Sequence, residues 1–117
     1  MQRLFKATLN SWNGLLVAAR SEQAFREEIV ALLIAVPAAF LIATDTWRRV
    51  ALIGVLVLLM IVELLNTAIE KLSDHVTPHH HDAIGRIKDM GSAAVHLNIL
   101  LAAVVWLVAL AERLGLL

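Results

Sequence analysis

Apolar residues recur at helical spacing from the start of the chain. Leu4, Phe5, Leu9, Trp12, Leu15, Leu16 and Ala19 share one face, while Arg3, Lys6, Asn10, Asn13 and Arg20 lie largely off it. The spacing predicts an amphipathic helix over residues 1–20. A basic amphipathic helix that carries Trp and Phe lies in the membrane interface, with its apolar face toward the acyl chains. The apolar residues are spaced rather than continuous, so the segment does not read as a secretory signal.

The next pattern is of unbroken apolar runs. Ile29–Ala43 is too short for the ~20 residues a spanning helix needs. Extension back through Ala24 and Phe25 supplies the length and brings Arg26, Glu27 and Glu28 to the membrane edge. Pro37 removes one backbone donor within this run. Asp45 or Thr46 is placed to cap the next helix. That helix is uncharged from Val50 to Val62, and its periodicity continues through Glu63, Asn66 and Glu70 to Ser73 or Asp74. Asp74–Asp89, with Pro78, His79, His80, His81 and Gly85, reads as a polar hairpin loop. Met90–Ala111 holds no charge and ends at Glu112 and Arg113, with Gly115 as its terminator. The expected fold is an all-α membrane protein in a single domain over 1–117. It has a surface helix over 1–20 and transmembrane helices over about 24–43, 47–73 and 89–112.

Composition supports a bilayer as solvent. Of 117 residues, 60% are hydrophobic, against roughly 45–50% in soluble domains. A domain this small has too little interior to hide the excess. Lys+Arg and Asp+Glu are each 10, so the balance lacks the basic excess of a nucleic-acid binder. With no cysteine, thiol nucleophiles, disulfides and thiolate zinc sites are excluded. Arg3, Lys6, Arg20, Arg26, Lys71, Arg86 and Lys88 fall on one side of a three-span topology, against Arg48, Arg49 and Arg113 on the other. The basic excess places the N-terminus and the histidine loop in the cytoplasm.

The polar residues inside this apolar frame are the candidate chemistry. Glu63, Asn66 and Glu70 stand at i, i+3 and i+7, on one face of a helix. Glu63 directly follows the uncharged run, and a carboxylate at such depth costs roughly 2.5–3.5 kcal/mol on insertion scales, which marks it as functional. Lys88 and Asp89 offer a cation and an acceptor at the polar boundary. Ser92 and the surrounding Gly91–Ala94 read as small residues for close helix packing, and His96 and Asn98 as interhelical hydrogen-bonding groups. Glu22 and Glu70 lie at the same edge, and two carboxylates with water and phosphate oxygens make a Mg²⁺ site. Neither a Walker nor a G-x-G-x-x-G phosphate loop is present.

The stretch Glu63-Leu64-Leu65-Asn66-Thr67-Ala68-Ile69-Glu70 resembles a signature of the prokaryotic integral-membrane diacylglycerol kinases. Gly85–Val95 (GRIKDMGSAAV) resembles their second signature, and Glu22-Gln23-Ala24-Phe25-Arg26 a third element. The resemblance implies a homotrimer of three-span protomers with active sites shared between them, in the bacterial cytoplasmic membrane. It implies transfer of the γ-phosphate of MgATP to a lipid alcohol, here diacylglycerol, giving phosphatidic acid. On the matching positions, Glu63 is the catalytic base, supported by Asn66 and Lys88, and Glu22 and Glu70 hold Mg²⁺. The nucleotide side comprises Arg3, Asn10, Glu22, Glu70, His79, His81, Lys88 and Asp89. The lipid side comprises Arg3, Ser11, Trp12, Arg26, Glu28, Arg49, Glu63, Ser92 and Trp106.

The sequence departs from the enterobacterial pattern at Asn10, where a tyrosine is familiar, and at His79-His80, in place of a glutamate-tyrosine pair. Relatives in Gram-positive bacteria phosphorylate undecaprenol, which makes that lipid the alternative substrate. A rival of another class is a small proton-coupled transporter. It accounts for Glu63 but not for Glu70, Lys88 and Asp89 at the boundary.

Overall fold

The computed structural model describes residues 1–117 and contains only helices: α1 (Gln2–Ser21), α2 (Gln23–Ile42), α3 (Thr46–Val76) and α4 (Asp82–Arg113). At about 1.5 Å per residue, α3 and α4 are each nearly 50 Å long, well beyond the ~30 Å hydrocarbon thickness. Both are long and apolar enough to cross a membrane. Their polar ends therefore project past the apolar zone, and α3 carries Glu70, Lys71 and Asp74 on its projecting turns. In α2 the charges Arg26, Glu27 and Glu28 occupy the first turns, leaving Ile29–Ala43 as its uncharged stretch.

α3 is the central element. It packs along α4 for most of its length and against α2, while α2 barely touches α4. Small residues make the closest contacts: Ala39 and Ala43 of the α2 end and Ala109 of α4 enclose the fully buried Leu52. Alanines allow backbones to approach, the usual means of helix association in an apolar solvent. Only 13 of 117 residues are buried, so most apolar side chains need lipid or another chain as their environment.

Polar groups fix the register of α3 on α4. Asn98 is buried and donates from Nδ2 to the Val55 carbonyl at 3.3 Å, and Trp106 Nε1 donates to the Leu52 carbonyl at 3.1 Å. The expectation for His96 is not met: its Nδ1 donates to Ser92 of its own helix at 2.8 Å. Of the Gly91–Ala94 group, only Gly91 is buried; Ala93 and Ala94 face outward. Interhelical hydrogen bonds in membranes average about 0.6 kcal/mol. Asn98→Leu is therefore expected to cost about 0.5–1 kcal/mol, read as a lower midpoint of unfolding in mixed micelles with activity retained.

The helix ends explain themselves from sequence. Asp45 caps α3, accepting the Arg48 backbone N–H at 3.0 Å, and Arg48 reaches on to grip both oxygens of Glu112 at 3.1 and 2.8 Å. This fork ties the start of α3 to the end of α4. Gly115 takes φ +76, and the N–H groups of Gly115 and Leu116 return to the carbonyls of Glu112 and Ala111. That is the glycine-terminated Schellman arrangement.

The hairpin differs from expectation. α3 runs to Val76 and α4 starts at Asp82, so the loop is Thr77–His81 rather than Asp74–Asp89. His81 Nδ1 accepts the Ala83 N–H at 3.2 Å and caps α4, and Asp82 sits in the first turn, where the helix dipole favours an anion. Charges at Arg86, Lys88 and Asp89 end an apolar run but do not end a helix.

Candidate active site

The junction between α1 and α2 is a single extended residue, Glu22, at φ −116 and ψ 112. Two groups hold the sharp turn. Phe25 is fully buried, and Arg26 Nη1 donates to the Ala19 and Arg20 carbonyls, both at 3.0 Å. Arg26, expected on the lipid side, thus caps the C-terminus of α1, where a cation suits the exposed carbonyls. The turn aims the Glu22 carboxylate at α3, where its Oε1 meets Lys71 Nζ at 3.0 Å.

On α3, Glu63, Asn66 and Glu70 share one face as the spacing predicts. Asn66 is buried and donates from Nδ2 to Glu70 Oε1 at 3.1 Å. Its Oδ1 is also buried, without a partner. The carboxylates of Glu70 and Glu22 lie close enough to Glu63 to act on it electrostatically, as Glu63 acts on Glu28. Four acidic side chains from two helices and their junction therefore lie along one side of the bundle, linked in pairs rather than gathered at one point. Glu28 keeps one oxygen buried and unpartnered. Lys71 is the one basic side chain paired to the group.

Gly91 of α4 closes the site from the other side. A Cβ there would overlap the Asn66 amide oxygen, so with Asn66 in this orientation glycine is what lets α4 approach α3 at this level. Lys88, one turn earlier, pairs with Asp74 of α3. A groove of about 480 Å³ between α1 and α3 opens beside the cluster. Its walls include Ser11, Leu15, Ala18, Leu64, Thr67 and Ala68, with Glu22 and Lys71 contributing the charged part.

Other candidate residues lie elsewhere. Arg3 is about 28 Å and Asn10 about 18 Å from Glu22 along one continuous helix, and both are exposed, as is Trp12. Arg49 stands about 21 Å along α3 from Glu63, its guanidinium 4.7 Å from the Phe40 ring centre. Trp106 belongs to that same far end through its bond to Leu52. Ser92 is half-buried on α4, Asp89 is exposed, and His79 lies exposed in the loop beside the capping His81. Sequence reasoning passed over Lys71 and Asp74 as site residues. Lys71 follows Glu70 directly and Asp74 stands four residues beyond it, so extending the polar stripe by one turn would have found both.

No three His, Asp or Glu side chains form a closed metal cage. The donor set instead suits a cation held by one or two carboxylates and completed by phosphate and water oxygens, the usual manner of Mg²⁺. Of the four acidic side chains only Glu22 has a basic partner, so the remaining carboxylates leave an excess of negative charge for such an ion to offset.

Fold and site together define a small all-helical protein with two helices long and apolar enough to cross a membrane and a row of acidic side chains along one face of α3. The family model for prokaryotic diacylglycerol kinase matches residues 9–110, and the chain belongs to that family. It is 45% identical over 113 residues to the diacylglycerol kinase of Escherichia coli K12, covering 97% of this chain and 93% of that one. It is 39% identical over 106 residues to the diacylglycerol kinase of Pseudomonas aeruginosa, covering 91% and 86%. To that of Haemophilus influenzae it is 33% identical over 106 residues, covering 91% and 90%.

Proposed function

We propose that this chain is an ATP-dependent lipid kinase that moves the γ-phosphate of ATP to the free hydroxyl of diacylglycerol, giving phosphatidic acid and ADP. The observation that carries the reading is the common face of Glu63, Asn66 and Glu70 on α3, with Asn66 bonded to Glu70 and Glu22 tied to the same helix through Lys71. Phosphoryl transfer asks mainly for positioning and charge stabilisation, and this arrangement offers both.

In the proposed reaction, Glu63 accepts the proton of the glycerol hydroxyl as its oxygen bonds to the γ-phosphorus. The bond from that phosphorus to the bridging oxygen breaks, and ADP departs. Asn66 orients Glu70 through its amide. Glu22 and Glu70 are the residues that would hold Mg²⁺, which when bound with ATP neutralises charge on the phosphate oxygens. Lys88 adds a positive charge on the nucleotide side once freed from Asp74. The groove between α1 and α3 gives the lipid a lateral path from the bilayer.

Labelled phosphate offered on ATP to purified protein in mixed micelles tests the reading. The expected product is labelled phosphatidic acid, with little transfer to undecaprenol presented side by side. Preferential labelling of undecaprenol would move the chain to the other substrate branch. Absence of transfer to either lipid would overturn the kinase reading.

The same reading includes three spans and a homotrimer in the bacterial inner membrane. Support for the third span comes from α2: its 20 residues extend about 30 Å, the thickness of the hydrocarbon layer. Support for shared sites comes from Arg3, which a rigid α1 carries about 28 Å from its own Glu22, too far to serve the same site within one chain. A probe at residue 80 is expected to react only from the cytoplasm, and one at Leu117 only from the opposite side. Labelling of both from one side would exclude three spans.

A further inference from the structure

We propose that Lys71 is an internal counter-ion for Glu22, which a divalent cation entering the site must displace. The inference rests on the metal-binding reading given above and concerns a residue outside that reading's ligand set.

Glu22, Glu28, Glu63 and Glu70 lie within electrostatic reach of one another in pairs along the C-terminal half of α3, and like charges so placed repel. The other nearby cations are engaged elsewhere: Arg26 on the carbonyls of α1, Lys88 on Asp74. Lys71 alone reaches the cluster, 3.0 Å from Glu22 Oε1. Glu70, the residue before it on α3, is held instead by the Asn66 amide, so the ammonium serves Glu22 alone of the two carboxylates assigned to the metal. The ammonium thereby holds Glu22 toward α3 when no other cation is present.

The pair is built to be broken. The Lys71 side chain is 58% exposed and that of Glu22 28%. An exposed lysine pair contributes about 0–1 kcal/mol, and the four-carbon stem lets the ammonium swing away without strain. A divalent ion brings twice the charge to the same oxygen. Lys71 thus competes with the ion for Glu22 while keeping that carboxylate in position. Removing the ammonium should tighten metal binding modestly, and moving it aside leaves a free cation at the edge where phosphates arrive.

The test is a titration of Mn²⁺ alone, followed by electron paramagnetic resonance on the full-length protein in detergent, without nucleotide. Lys71→Met is expected to bind Mn²⁺ about two- to fivefold more tightly than the parent, the size set by loss of an exposed ion pair. Lys71→Arg, which keeps the charge, should bind no more tightly than the parent. In a Glu22→Gln background the Lys71→Met effect should vanish, because its partner is gone. Unchanged or weaker Mn²⁺ binding by Lys71→Met, with Glu22→Gln still weakening it, would overturn the counter-ion role and leave the ligand assignment standing. Unchanged binding by Glu22→Gln would overturn the ligand assignment itself, and the proposal with it.

Discussion

Glu63→Gln is expected to lower kcat by at least about 10²-fold, the lower bound of what a positioned general base contributes. Glutamine preserves the shape and removes the proton acceptor. The fold should be untouched, because Glu63 makes no ion pair that the amide would leave unpaired. Stability should even hold or rise, since an amide costs less than a carboxylate at the membrane boundary. The Mg²⁺ concentration giving half-maximal activity should change little. Glu70→Gln should behave differently: its defect is expected to be partly relieved by raised Mg²⁺. Activity against Mg²⁺ concentration for the two variants separates the roles. Near-normal kcat in Glu63→Gln, or its rescue by Mg²⁺, would show that base and metal ligand are interchanged.

Gly91→Ala is expected to cost activity on a similar scale through a residue that touches no substrate. The added methyl would occupy the position of the Asn66 amide oxygen. Asn66 must then rotate, which breaks its hydrogen bond to Glu70, or α4 must move outward. A displacement of about 1 Å in a phosphoryl-transfer site can reduce the rate 10²-fold, and overpacking adds about 1–3 kcal/mol of destabilisation. The double variant Gly91→Ala with Asn66→Ala distinguishes the two costs. The clash disappears with the amide, so thermal stability should recover while activity stays low. A Gly91→Ala enzyme with parental kcat would mean that the amide position does not govern the reaction.

The outcome at Gly91 shows how far a linear pattern reaches. Small residues at 91–94 read as packing residues, and Gly91 does pack. Nothing in their spacing distinguishes Gly91, which faces Asn66, from Ala93 and Ala94, which face outward, because that depends on the rotation of α4 about its own axis. Asn98 and His96 make the same point. They are two residues apart and equally polar, yet only Asn98 points at α3 and finds the Val55 carbonyl. The loop is shorter than the charge pattern implies for a related reason. Charge marks where a helix leaves the membrane, whereas capping by His81 and hydrogen bonding along the backbone decide where it begins.

Local rules account for much of the rest. Apolar periodicity alone determined four helices, because burying a backbone in an apolar solvent leaves no alternative to internal hydrogen bonding. Asp45 and Gly115 announced two helix ends through side-chain capping and a positive φ, both properties of single residues. The i, i+3, i+7 placement of Glu63, Asn66 and Glu70 assigned them a common face by geometry intrinsic to the helix. Tertiary structure decided what meets that face. The one-residue turn at Glu22 brings its carboxylate to α3, Lys71 becomes its partner, and Arg26 is engaged in holding the turn. These contacts depend on the angle between α1 and α2 and on the depth of α4 beside α3, quantities set by packing across distant segments and carried by no local pattern.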